Sequence, residues 1–255
     1  MQFIDTHAHV YAEELTSDLD LIMKNAVAVG VNKIIMPAID STTLEAMLKV
    51  EQQFPEHCIA MMGLHPCYVK ENYKEELKLV EDWIGKRKFI AIGEIGLDFY
   101  WDKTFTKEQH IVFETQMQWA LDLNLPIAIH TRNAMGETIE AVKPFAKKGL
   151  RGVFHCFSGS KESAEQIIGM GFHLGLGGVL TYKNAGVAEA IKDIPMEYLV
   201  LETDAPYLAP VPYRGKRNES SFLVHIANRV AELKSITVAE VDEVTTANAK
   251  KIFRF

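Results

Sequence analysis

Short apolar segments rich in β-branched residues alternate along the chain with longer segments in which apolar residues recur every three or four positions. The first pattern is typical of buried strands and the second of amphipathic helices. Each predicted strand is followed by a predicted helix, and a further helix covers residues 238–252. The eight predicted strands are residues 3–10, 33–39, 59–64, 89–95, 127–130, 152–156, 172–179 and 198–203.

Strands that alternate with helices pair in parallel, which places the chain in the α/β class. Eight strand–helix units within 255 residues predict a closed (β/α)8 TIM barrel, and a doubly wound open sheet is the alternative. No linker or shift in composition divides the chain, so we expect one domain over residues 1–255. Gly30 is expected to end the first helix, and Ser41 to cap the second.

Composition narrows the class of protein. Hydrophobic residues make up 48 % and charged residues 24 %, which is ordinary for a globular domain. We expect a cytoplasmic location, because there is no signal peptide and no apolar segment long enough for a membrane span. Three cysteines without a C-x-x-C pair argue against disulfides. We expect no membrane association and no obligate protein partner.

Acidic residues and histidines end five of the predicted strands. His7 and His9 lie two positions apart, and side chains two apart on a strand share a face. Asp5 is expected to point to the same face, one layer deeper. In a closed barrel the carboxyl ends of all strands meet at one rim, where active sites form. The candidate metal ligands at this rim are His7, His9, Glu94, His130, His155 and Asp204. We interpret the histidines elsewhere as structural: His57, His110, His173 and His225.

Six such side chains together need a shared positive charge, which divalent cations supply. Four imidazoles and two carboxylates exceed the ligands of one tetrahedral site, so we predict two ions with Glu94 as the bridge. His7, His9 and Asp204 are assigned to one ion, and His130 and His155 to the other. The nitrogen-rich ligand set favours Zn, Mn, Co or Ni over Mg.

Several segments, in order and over essentially the whole chain, resemble the TatD family of metal-dependent deoxyribonucleases. These segments are FIDTHAHV, GLHP, IGEIGLDFYWD, IHTRNA, HCFSG, LETDAPYLAP and RGKRNES, with Ser220 where the family usually has Pro and Glu137 where it usually has Asp. The resemblance implies a barrel with a dinuclear site that hydrolyses phosphodiester bonds in DNA, often as a 3′→5′ exonuclease. It carries over the six ligands already identified.

A water held between two cations would lose a proton near neutral pH and supply the attacking hydroxide. Asp204 would act as a metal ligand and as the base, and Glu202 would orient one of the metal ligands without binding an ion itself. The negative charge of the phosphate calls for nearby cations and donors. For these we nominate His65, Arg132, Arg214 and Arg217, with Lys216 in the same basic cluster as the last two.

The net charge of −7 argues against electrostatic attraction of nucleic acid over a broad surface, so we expect the contact with DNA to be local. Aromatic residues of two loops are candidates to stack on unpaired bases, which would favour single strands or frayed 3′ ends. These residues are Phe99, Tyr100, Trp101, Phe105 and Tyr207. Two alternatives stay open: a hydrolase of small cyclic amides or lactones, and a metal-stabilised barrel that binds nucleic acid without cleaving it.

Overall fold

The computed structural model describes residues 1–255, and eight parallel strands form its centre. Strands β1–β3 pair in sequence order, as do β4–β8. Each strand is short and largely buried, as expected for a parallel sheet covered by helices. The strands are β1 Phe3–Asp5, β2 Val31–Pro37, β3 Cys58–Met61, β4 Ile92–Asp98, β5 Ile127–Arg132, β6 Gly152–Phe154, β7 His173–Leu176 and β8 Leu199–Leu201.

Backbone hydrogen bonds join the two groups of strands into a ring. The amide of Met62 donates to Ala91 O at 3.2 Å, and the amide of Gly93 donates to Met62 O at 2.9 Å, which links β3 to β4. On the other side, the amide of Thr6 donates to Leu201 O at 3.0 Å, which links β8 to β1. The predicted (β/α)8 barrel is therefore confirmed, and the open sheet is not the architecture.

Ten α-helices surround the strands. They are α1 Glu13–Thr16, α2 Leu19–Ala28, α3 Leu44–Gln53, α4 Tyr73–Lys86, α5 Thr106–Asp122, α6 Met135–Ala146, α7 Lys161–Gly169, α8 Val187–Ile191, α9 Leu223–Lys234 and α10 Val238–Phe253. The apolar faces of these helices pack on the outside of the strands and form the larger apolar core. None of the helices is both long and apolar enough to cross a lipid bilayer.

A second, smaller apolar cluster fills the interior of the barrel. It joins inward-facing side chains of the strands, such as Ile4, Ala128 and Val153, to Ile252 and Phe253 of α10. The last helix thus covers the amino-terminal end of the barrel with apolar side chains. The polar side chains of the interior lie at the opposite, carboxyl-terminal mouth of the barrel, where the candidate site is found.

The structure corrects three local predictions. Strand β1 ends at Asp5, because the residues beyond it make only scattered hydrogen bonds: the amide of Ala8 donates to Ile35 O of β2 at 3.1 Å, and the amide of His9 donates to Ala205 O, after β8, at 2.7 Å. Strand β4 runs on to Asp98, so the fourth loop starts three residues later than expected. Ser41 does not cap α3; its hydroxyl donates to Glu76 Oε1 at 2.7 Å, and the helix begins after Thr43.

Candidate metal centre

Glu94 lies at the centre of a buried cluster of imidazoles at the carboxyl-terminal mouth of the barrel. Its Oε2 is 3.1 Å from Nε2 of His7 and 3.6 Å from Nε2 of His9. Its Oε1 is 2.8 Å from Nε2 of His155 and 2.9 Å from Nδ1 of His130. Each carboxylate oxygen therefore faces its own pair of the predicted histidine ligands, which is the arrangement expected of a carboxylate shared between two ions.

Asp204 closes the side of the cluster that contains His7 and His9. Its Oδ1 lies 3.6 Å from Nε2 of His9 and 3.9 Å from Nε2 of His7. The residue has a left-handed backbone with φ of 57°, which is uncommon for aspartate. Its amide donates to His7 O at 2.9 Å, and its carbonyl accepts from the amide of Tyr207 at 2.8 Å. The loop after β8 therefore holds this carboxylate in one position.

Strand alternation explains how three of these polar side chains reach the mouth. Ala128, Val153 and Val200 face the interior of the barrel, and the residues two positions later face it as well. These later residues are His130, His155 and Glu202. Strand β4 departs from regular pairing between Ile92 and Ile95, and within this irregular stretch Glu94 enters the cluster.

The imidazole of His130 is oriented by a second carboxylate. Its Nε2 lies 2.9 Å from Oδ2 of Asp98, while its Nδ1 faces Glu94. The other oxygen of Asp98 accepts from the amides of Tyr100 and Trp101 at 2.9 and 3.1 Å. Both ring nitrogens thus face carboxylates: burial alone would lower the pKa of His130, but the two carboxylates outweigh burial and raise that pKa. When a cation takes the place of the proton on the Glu94 side, Asp98 keeps the other proton on Nε2, and the lone pair of Nδ1 then points into the cluster. This is the usual way in which a protein prepares a histidine to bind a metal.

His9 is prepared in the same way by Tyr11. The hydroxyl of Tyr11 donates to Pro37 O, so its oxygen is left to accept from Nδ1 of His9 at 3.0 Å. The lone pair of Nε2 then points toward Glu94 and Asp204. On the opposite side of the cluster, Nδ1 of His155 lies 3.5 Å from Oε1 of Glu202, and its Nε2 faces Glu94.

The donor set fits divalent cations. Imidazole nitrogens and carboxylate oxygens face one another across about 3 Å. When the imidazole rings are neutral, none of these groups carries a positive charge. In each of four groups of side chains the possible ligand atoms lie within 4.8 Å of one another, and two of these groups share Glu94: His7, His9 and Glu94 on one side and Glu94, His130 and His155 on the other. Nitrogen and oxygen ligands in such numbers suit Zn, Mn, Co or Ni.

Burial and charge set the protonation of the cluster when no cation is bound. Burial alone would raise the pKa of Glu94, but the surrounding imidazoles of His155, His65 and His7 hold that pKa well below its usual range. Burial would lower the pKa of His155, yet the carboxylates of Glu94 and Glu202 raise it well above its usual value. Protons on imidazoles therefore compensate the carboxylates, and a binding cation would displace them.

His65 is also in the cluster, but its proton is on the opposite nitrogen. Its Nδ1 accepts from the amide of Cys67 at 3.1 Å, so the neutral ring carries its proton on Nε2. That Nε2 lies 3.3 Å from Oε1 of Glu94. His65 therefore presents an N–H to the mouth of the barrel, where the rings of His9 and His130 present lone pairs. It is suited to bind an anionic oxygen and unsuited to bind a cation.

Arg132 lies at the rim beside two exposed aromatic rings. Its guanidinium carbon is 4.0 Å from the centroid of Tyr100 and 5.1 Å from that of Trp101. Tyr100 is 51 % and Trp101 67 % exposed, so both rings have a free face. Phe99 and Phe105 are instead partly buried and pack against the core, and their stacking on bases stays a prediction. Tyr207 is exposed, with its ring 5.9 Å from that of His9.

The basic residues of the eighth loop have separate environments. Arg217 forms an ion pair with Asp18, with a contact of 2.9 Å to Oδ1, and it also donates to Glu14 O. Arg214 lies over the ring of Tyr182, 4.2 Å from its centroid. Lys216 is exposed at the surface. The predicted roles of Arg214 and Arg217 in binding substrate stay predictions, and only Arg214 has no acidic partner.

Two residues that orient candidate metal ligands were not identified from the sequence. Asp98, which orients His130, lies in the IGEIGLD segment, four residues after Glu94. Tyr11 carries no signal in the sequence, because its partner Pro37 is on another strand. Asp5 was expected to face the cluster; it instead accepts from the hydroxyl of Thr203 at 2.6 Å, and burial raises its pKa to about 7. It supports the segment that carries Asp204.

Fold and site together define a barrel hydrolase that depends on metal ions, and comparisons with known proteins agree. Residues 4–254 match the family model described as TatD related DNase. The chain is 38 % identical over 251 residues to the uncharacterized metal-dependent hydrolase YabD of Bacillus subtilis, covering 98 % of each chain. It is 32 % identical over 260 residues to the uncharacterized metal-dependent hydrolase YcfH of Escherichia coli K12, covering 99 % of this chain and 96 % of the other.

The crystal structure of YJJV, a TatD homologue from Escherichia coli K12, superposes on this chain with a TM-score of 0.93. The two are 27 % identical, and the alignment covers 99 % of this chain and 98 % of the other. The chain belongs to the TatD family, and the resemblance seen in its sequence is confirmed. It is a metal-dependent hydrolase of that family.

Proposed function

We propose that this hydrolase cleaves phosphodiester bonds in DNA, with two divalent cations held at the mouth of the barrel. The observation that carries the proposal is the pairing of two kinds of histidine in one cluster. The rings of His9 and His130 direct lone pairs inward, as metal ligands do, while His65 directs an N–H inward. A site with both kinds of group suits a substrate that bears anionic oxygens next to the metals.

The ligand assignment follows the geometry of Glu94. His7, His9, Asp204 and one oxygen of Glu94 would hold the first ion, and His130, His155 and the other oxygen would hold the second. Bound there, the ions would stabilise negative charge on the phosphate and make water more acidic. Zn, Mn, Co and Ni match the nitrogen-rich ligands better than Mg does.

Side chains of the protein perform the remaining steps. Oδ1 of Asp204 would accept the proton of the attacking water. Burial would raise the pKa of this carboxyl, but the nearby imidazoles of His9, His155 and His7 lower it, so its position, and not a high affinity for protons, makes it the base. The Nε2–H of His65 donates to a non-bridging oxygen of the phosphate. Arg132, oriented by the ring of Tyr100, supplies a second cationic donor at the rim.

The exposed aromatic residues favour unpaired DNA as the substrate. Tyr100, Trp101 and Tyr207 leave ring faces open around the mouth, and bases stack on such faces only when they are not paired within a duplex. We therefore propose single strands or frayed 3′ ends as the preferred substrate, with digestion in the 3′→5′ direction as in the family named by the resemblance.

The test is incubation of metal-stripped protein with single-stranded DNA labelled at the 3′ or the 5′ end, with one metal restored at a time. We expect a ladder that shortens from the 3′ end, and no cleavage before a metal is added. D204N serves as the catalytic control, because the amide keeps the shape of the side chain but cannot take a proton. Ladders from wild type and no product from the variant support the proposal.

A parallel assay with a small chromogenic phosphodiester and a lactone separates the alternatives. Turnover of the lactone without turnover of either phosphodiester would contradict the proposal and favour a hydrolase of small cyclic substrates. Tight binding of DNA without cleavage under any metal would also contradict it.

A further inference from the structure

A groove of about 850 Å³ is formed by the loops that follow β7 and β8 together with helices α8 and α9. It is lined by Tyr182, Lys183, Arg214, His225 and Arg229, among others. Two hydrogen bonds join the loops: the hydroxyl of Tyr182 donates to Ala209 O at 2.8 Å, and the amide of Val211 donates to the hydroxyl of Thr181 at 2.9 Å. The groove is therefore a built feature of both loops.

The groove carries cationic groups that are free to bind an anion. Arg229 is compensated by Glu232 at 3.1 Å, but Arg214 and Lys183 have no ion-pair partner. The guanidinium of Arg214 lies over the ring of Tyr182, which fixes its plane while leaving its N–H groups available. Glu189 and Glu232 also line the groove, so its charged side chains, three positive and two negative, sum to one positive charge in a chain whose net charge is −7.

A short piece of chain connects the groove to the metal centre. Tyr207 contacts His9, with 5.9 Å between ring centroids, and Ala209, two residues later, accepts the hydrogen bond from Tyr182. Two residues span at most about 7 Å. The loop after β8 therefore carries Asp204 and also the segment 209–211 beside the groove, so a nucleotide chain bound at the metals can extend along this loop toward the groove.

We propose that this groove binds a phosphate that flanks the scissile one, through Arg214 and Lys183. The inference rests on the proposed function, and it adds that the substrate is recognised as a polymer with at least two phosphodiester groups. Arg214 gives planar, directional hydrogen bonds to phosphate oxygens, and Lys183 adds a point charge. His225 and Asn228 complete the polar wall.

The test compares a single-stranded oligonucleotide of about ten nucleotides with bis(p-nitrophenyl) phosphate, which has no flanking phosphate. R214A and K183A are each expected to raise KM for the oligonucleotide about tenfold. K183A should leave turnover of the small diester unchanged, and R214A should lower turnover of the oligonucleotide by a larger factor than turnover of the small diester. Each should also reduce the slope of log kcat/KM against log salt concentration by about 0.7. R214K should restore the slope but only part of the affinity.

K216A is the matched control, because Lys216 is an exposed cation of the same loop that does not line the groove. It should leave KM for the oligonucleotide within about twofold of wild type. An equal loss in K216A, or an unchanged KM in both groove variants, would overturn the inference while leaving the proposed function intact. If wild type cleaves the small diester but no oligonucleotide, the proposed function fails, and the groove proposal fails with it.

Discussion

Oδ2 of Asp98 lies 2.9 Å from Nε2 of His130, on the side of the ring that faces away from Glu94. Asp98 is fully buried, and two backbone amides hold its other oxygen. The carboxylate therefore decides which nitrogen of His130 is available to a metal.

Replacing Asp98 by Asn should weaken metal binding by about 10- to 100-fold, because the amide is a poorer acceptor and lets the ring turn. Calorimetric titration of metal-stripped protein measures the effect. D102N is the control, since Asp102 is a surface carboxylate that pairs with Lys70 at 2.6 Å. Equal metal affinity in D98N and wild type would show that His130 needs no such partner.

His65 should matter for turnover but not for metal content. H65A is expected to bind the same number of ions as wild type and to lose about 10²- to 10³-fold in kcat, the usual loss for a donor to developing charge. H65Q should recover part of that loss, because its amide N–H can replace Nε2–H. Metal analysis combined with steady-state kinetics makes the distinction. Loss of one ion in H65A would identify His65 as a ligand.

Gly96 is required by the close approach of strand β5. Its φ is +152°, and a Cβ at this position would overlap the carbonyl oxygen of His130. G96A should lower the free energy of unfolding by about 2–4 kcal/mol, since backbone on both strands must shift. Urea unfolding measures it. G136A is the control: Gly136 has open space around it in helix α6, so this change should be neutral or stabilise by up to about 1 kcal/mol.

His173, at the amino-terminal end of the barrel, should make the protein sensitive to acid. Burial lowers its pKa from 6.5 to about 4. The unfolded chain then binds a proton that the folded chain does not, so stability is complete above pH 6.5, falls as the pH drops toward 4, and levels off below that. The loss is at most about 3 kcal/mol. H173L should flatten the profile of unfolding free energy over this range; an unchanged slope would contradict the assignment.

The barrel and most of the cluster could be predicted because both follow from local periodicity. Side chains two positions after an inward-facing apolar residue also face inward, and this rule correctly placed His130, His155 and Glu202. It failed for Asp5, because Ile4 is the inward-facing residue of β1. Strand β1 ends before His7 and His9. Had the strand continued from Ile4, the side chains of Thr6 and Ala8 would face the interior, whereas His7 and His9 face Glu94 in the structure.

Long-range pairing was not predictable from the sequence. Arg217 was nominated as a substrate contact from its place in a basic cluster, but its guanidinium pairs with Asp18, 199 residues away along the chain. The role of Tyr11 is hidden for the same reason, since its acceptor lies on β2. Such partners depend on how loops of different strands meet at the rim, which no local pattern encodes.

The central claim is that Glu94 is shared between two cations at the mouth of the barrel. Anomalous diffraction from crystals soaked in Mn²⁺ or Zn²⁺, with metal analysis of the same protein, tests it most directly. We expect two ions per chain, one among His7, His9 and Glu94 and the other among Glu94, His130 and His155. A mouth without anomalous signal, or one ion that does not contact Glu94, would contradict the account.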